Sequence, residues 1–274
     1  MESAIAAAIR LEFSPVAVIF TDEKPAGAME FAQGRWGCVM WLLASAAQGR
    51  AAAASSETFG CLGGGTGLGF GNQYQNWPGG IECFYRFLSI GNDSWEHGRA
   101  AAEKVKSVFR REAFDSFMHG ERYIKSPELT KKFVDALPIC EVPTRFVVFK
   151  PFAEVRADER PQVVIFVVDP DRLSALVVLA NYGREHNENV CIPFAAGCQA
   201  IGILPYREAS SATPRAVVGL VDLAARSYIA ARLGGGLLTF AMPCRMFEEM
   251  EANVAGSFLE RQGWRELLAG RASG

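Results

Sequence analysis

Two short runs constrain this chain most: Arg145-Phe-Val-Val-Phe-Lys150 and Val163-Val-Ile-Phe-Val-Val168. Between the flanking Arg145 and Lys150 of the first, and throughout the second, every position is β-branched or aromatic and apolar, so neither can present one face to water. A strand of that kind has to be covered on both faces, usually by helices. Val16-Ala-Val-Ile-Phe20, after Pro15, reads as a third such strand, and Ala216–Val221 and Leu237–Met242 as two more. Helical patterns alternate with them. Arg35–Gln48 carries Trp36, Val39, Met40, Leu43 and Ala47 at helical spacing and stops at Gly49. Trp95–His119 reads as one long helix with an apolar stripe, and Ile81–Leu88 as an aromatic-rich strand or short helix. Ser126-Pro127, Asp169-Pro170 and Pro243 each open a helix, and Ser257-x-x-Glu260 has the form of a capping box for the last one.

The expectation is therefore an α/β (or α+β) fold, a mixed sheet with helices packed on it. A strand–Pro–helix pattern occurs twice, at 163–179 and 237–250, which raises two similar lobes as an alternative arrangement. Residues 1–274 are read as one domain, with the place for a lobe boundary at 120–144, where prolines, glycines and mixed charge gather.

The bulk numbers exclude several classes. A formal charge of −2 and a chain 50% hydrophobic with scattered Lys and Arg give no reason to expect nucleic acid as a partner. No apolar run approaches the ~20 residues of a membrane helix. The N-terminus is acidic before it is apolar, the wrong order for a secretory signal, so the cytoplasm is expected. Seven cysteines at 38, 61, 83, 140, 191, 198 and 244 form an odd set, which speaks against a disulfide framework.

Chemistry concentrates at Cys61-Leu-Gly-Gly-Gly-Thr-Gly-Leu-Gly-Phe-Gly71, a thiol followed by a glycine run that reads as a loop. Amides in such a loop can point at an anion or at a sulfide. It lacks the Gly-Lys-Ser/Thr of a phosphate-binding loop, and Phe70 stands where the third glycine of a dinucleotide fingerprint belongs. No Cys-x-x-Cys occurs, which removes zinc ribbons and ferredoxin runs. Three cysteines do share one context: Gly37-Cys38, Cys61 ahead of the glycines, and Gly197-Cys198. Thiolates select zinc, copper(I) or iron–sulfur clusters. These three are the candidate ligands of an iron–sulfur cluster, with the amides of Gly63, Gly64 and Gly65 as donors to sulfide or a bound anion and Cys191 in reserve. The partner implied is a small-molecule ligand or a redox protein. Cys83, Cys140 and Cys244 sit in apolar or proline contexts and read as core.

Two alternatives stay open. One is a module binding a small anion or nucleotide on Gly63–Gly71. The other is a thiol enzyme using Cys61 or Cys198 with His186, although a lone histidine in the polar loop Arg184–Glu188 reads more readily as surface.

The segments Phe13–Phe20, Gly37-Cys38, Phe59–Gly64, Val164–Pro170, Gly197-Cys198-Gln199 and Leu238–Pro243, in that order, give the chain its family likeness. It resembles the domain-of-unknown-function family 169 of archaea and anaerobic bacteria over nearly its whole length. The resemblance implies a shared thiolate site at the positions of Cys38, Cys61 and Cys198, and the anaerobic distribution implies that such a site is oxygen-sensitive.

Overall fold

The structure is a computed structural model that describes residues 2–270. The chain divides into two compact units, one of residues 1–70 and 140–274 and one of residues 71–139.

The larger unit is built on one seven-stranded sheet. Its strands are β1 (Val16–Thr21), β2 (Ala52–Ser55), β3 (Phe146–Pro151), β4 (Pro161–Val168), β5 (Val190–Cys191), β6 (Ala216–Gly219) and β7 (Leu238–Pro243). They lie in the order β2-β3-β1-β4-β7-β6-β5, antiparallel except for the β5–β6 pair. The uniformly apolar strands behave as their composition demands. Val163, Ile165 and Val167 join one core, while Val164, Phe166 and Val168 join another. Each such side chain, fully removed from water, contributes about 1.5–3 kcal/mol.

Helices supply the two covers. Over the chain they are α1 (Ala4–Ala8), α2 (Val39–Ala47), α3 (Leu62–Leu68), α4 (Ile81–Leu88), α5 (Glu96–Val105), α6 (Arg111–His119) and α7 (Pro127–Asp135). Then come α8 (Pro170–Asn181), α9 (Gly197–Ile201), α10 (Ile203–Ala209), α11 (Leu223–Leu233), α12 (Cys244–Ala252) and α13 (Gln262–Gly270). Residues of α1, α8, α12 and α13 pack on one face of the sheet; residues of α2, α3, α9 and α11 pack on the other. The class is α/β. The two strand–Pro–helix stretches lie side by side, β4 pairing with β7 with Phe166 opposite Phe240, so they belong to one sheet and not to separate lobes.

The smaller unit holds α4–α7 around two aromatic clusters. Its Ile81–Leu88 is a helix. The expected long helix over 95–119 is broken at Lys106–Arg110. Arg110 adopts an extended conformation (ψ 157°), which lets α6 turn back so that Phe117 and Val105 bury against the same cluster.

Three further expectations change. The helix expected from Arg35, α2, starts at Val39; ahead of it Gly37 presses against the Phe31 ring, where an added Cβ would come within 2.3 Å. The glycine run is no loop; residues 62–68 form α3, closed by Gly69 at φ +90°. Glycine costs about 1 kcal/mol per helical position, so tertiary packing is what holds α3 in place. Ser257 and Glu260 cap a short turn at Phe258–Glu260, and the last helix begins only at Gln262. Strand β2 was not expected at all. Its Ala-Ala-Ala-Ser has no β-branched residue, and pairing with β3 on one side and a bridge to Met29 on the other make it a strand.

Candidate functional site

Cys38, Cys61 and Cys198 come from segments far apart in sequence and meet where three helices begin. Cys38 stands at the N-cap position of α2 without a side-chain capping bond, and Cys61 caps α3. Cys198 is the second residue of α9. The backbones touch through glycines. A Cβ on Gly60 would fall 2.4 Å from the Gly37 carbonyl oxygen, which sets the peptide before Cys61 against the one before Cys38. One on Gly67 would meet Cys198 Sγ at 2.7 Å and the Cys198 carbonyl carbon at 2.8 Å. One on Gly202 would lie 2.0 Å from the Gly67 carbonyl oxygen. Bulk at any of these positions would drive α3, α9 and the Phe31–Cys38 segment apart.

The sulfurs are part of the hydrogen-bond network. The Gly64 N–H donates to Cys61 Sγ at 3.2 Å, and the Cys198 thiol donates to the Gly63 carbonyl at 3.1 Å. Of the three glycine amides expected to face a ligand, those of Gly63 and Gly64 act on the Cys61 sulfur. That of Gly65 is spent in the helix, on the Cys61 carbonyl at 2.9 Å.

Asp222 is the fourth acidic group. It caps α11: Oδ1 accepts from the Ala225 N–H at 2.6 Å, and Oδ2 accepts from the Gly197 N–H at 2.5 Å. Sequence reasoning missed it because α11 was not expected. Its signal is the one read correctly at Asp169, an aspartate between an apolar strand and the helix that follows.

Electrostatics tie the four groups together. Burial pushes the Cys38 thiol up from 9.0 to about 12, and the neighbouring Cys61 and Asp222 add to the effect. Cys198 is raised well above the usual thiol range by burial, then by Cys61, Cys38 and Asp222. Burial also raises Cys61, against the pull of the Gly64 and Gly63 amides. Asp222 is raised by burial and opposed by the amides it caps. No cation stands among the main influences on the three thiols. A cysteine nucleophile is activated by a neighbouring cation or base that lowers its pKa, and these thiols are shifted the other way. They are held as neutral, protonated groups. Among the described residues, no three His, Cys, Asp or Glu side chains stand close enough as they are to grip a metal ion.

The remaining candidates lie elsewhere. His186 lines a charged groove with Arg184, Glu208 and Arg215. Cys191 is on β5, its thiol donating to the Ala216 carbonyl at 3.5 Å, with Arg215 and Glu208 as its charged neighbours. Cys83 is fully buried, as read from sequence. Cys140 lies against Gly69, and Cys244 starts α12, its thiol donating to Glu248.

Fold and site together define an α/β protein with a half-buried thiol centre on one helical face of a mixed sheet. The chain belongs to the DUF169 family: the family model, described as "Uncharacterised ArCR, COG2043", matches residues 4–253 and so spans all four groups of the centre. No curated protein and no solved structure matches the chain. Among the described residues no helix is long and apolar enough to cross a membrane.

Proposed function

We propose that this protein is a cysteine-ligated metal protein of the cytoplasm, with Cys38, Cys61 and Cys198 as the protein ligands of an iron–sulfur cluster. The observation that carries the reading is the gathering of three thiols from segments distant in sequence into mutual electrostatic reach. The donor set fits the group: the ligands are soft, and the Gly63 and Gly64 amides already point at one of the sulfurs. Neutral, half-buried thiols gain a reason to ionise when a metal arrives, so uptake releases protons. The Cys198 thiol donates to a carbonyl, a contact a thiolate cannot keep, so ligation requires this side chain to turn away from Gly63.

A cluster bound by three protein thiolates would supply one iron open to a small molecule, by the reasoning that separates catalytic from structural metal sites. Partners under this reading are a small-molecule ligand or a redox protein.

The test is anaerobic purification followed by iron and acid-labile sulfide analysis. A coloured protein with both elements, lost when any one of the three cysteines is replaced by serine, is expected. A colourless chain without iron after anaerobic reconstitution refutes the reading.

A further inference from the structure

Asp222 belongs to no expectation drawn from sequence, yet its charge reaches all three thiols. Its two carboxylate oxygens are divided between two helices, Oδ1 on the Ala225 amide of α11 and Oδ2 on the Gly197 amide of α9. Gly197 immediately precedes Cys198. The same glycine is wedged between helices, an added Cβ meeting Ala225 Cβ at 2.8 Å and the Met40 sulfur at 3.1 Å. The start of α9 thus has packing on two sides and a single charge-assisted tether. The tether is itself braced. Leu220, fully buried, takes a left-handed conformation at φ +62°, and its carbonyl accepts from Arg226 at 3.0 Å. A leucine in that region is strained and persists only where the surroundings enforce it. Two residues later the chain delivers Asp222.

We propose that Asp222 is a positioning residue of the thiol centre: by bridging the first amides of α9 and α11, it fixes the direction in which Cys198 leaves α9 toward Cys61. The inference deepens the metal-site reading and rests on it for its purpose, while its geometry concerns this chain alone.

The test separates positioning from helix capping. Asn and Ser cap helices nearly as well as Asp, so Asp222→Asn and Asp222→Ser keep the cap on α11 but lose the carboxylate bridge to Gly197. Asp222→Ala loses both. In the metal-free full chain at one pH, iodoacetamide labelling of Cys198 is measured by mass spectrometry relative to Cys61. Both thiols feel the Asp222 charge, so its loss acts on both sides of the ratio. The ratio is expected to rise about tenfold in the Asn and Ser variants, as for the loss of one charge-assisted bond, with melting temperatures within a few degrees of wild type. In iron-reconstituted protein the same variants shift the visible and electron-paramagnetic-resonance spectra. An unchanged ratio in both variants, or a change confined to Asp222→Ala, overturns the proposal. A wild-type chain that takes up no iron sinks the iron–sulfur reading and leaves the labelling ratio to decide Asp222.

Discussion

Replacing Gly67 by alanine tests whether the glycines of α3 exist for close approach. In an ordinary helix the change stabilises by up to about 1 kcal/mol through backbone entropy. Here the added methyl would sit 2.7 Å from Cys198 Sγ, 2.8 Å from Cys198 Cβ and 2.8 Å from the Cys198 carbonyl carbon. A side-chain atom can rotate away; the carbonyl carbon moves only if α9 moves. Overpacking of this kind costs about 1–3 kcal/mol, and rigid backbone at such short range places it near the upper value. Subtracting the helix gain leaves a net loss of about 2 kcal/mol. For a unit of this size that lowers Tm by roughly 4–8 °C. Gly263→Ala in α13 is the control, because an added Cβ there has nothing within 4 Å and keeps the propensity gain. Urea unfolding of both variants, with the slope compared to wild type, reads the difference. A Gly67→Ala protein as stable as wild type, with Cys198 labelled at the wild-type rate, would refute the claim that α3 and α9 pack through this glycine.

Cys38→Ser, Cys61→Ser and Cys198→Ser should each remove most of the iron found in wild type, whereas Cys244→Ser, outside the centre, should leave it unchanged; equal iron in all four would place the metal elsewhere. In the metal-free chain, alkylation of Cys38 at pH 8 should run about a thousandfold slower than that of an ordinary thiol, since its pKa rises from 9.0 to about 12. Its rate should climb tenfold per pH unit up to that value, and a plateau reached near pH 9 would contradict the burial argument. The stability this thiol contributes is complete below pH 9 and is lost as pH rises toward 12, because the unfolded chain gives up its proton first. Glu159→Ala should destabilise by about 3–5 kcal/mol in denaturant titration, because it strands the buried Lys150 ammonium that Glu159 holds at 2.8 Å; a loss below about 1 kcal/mol would show that water reaches Lys150.

The strands and their two covers were legible in the sequence because burial on both faces leaves a signature at every position of Val163–Val168. The proline-marked helix starts at Ser126, Asp169 and Pro243 were legible for a related reason, since a cap is local chemistry. Cysteine beside glycine was enough to single out Cys38, Cys61 and Cys198. That these three meet was not readable, because it depends on how α2, α3 and α9 are stacked. Helical glycines at 64 and 67 looked like a loop because propensity is a property of the segment and packing is not. The cap that Asp222 places on α11 had a local signal, but its second carboxylate oxygen reaches an amide 25 residues away, which no local pattern shows. Composition and periodicity thus determined the layers of this protein, and contacts between segments remote in sequence decided where its thiols converge.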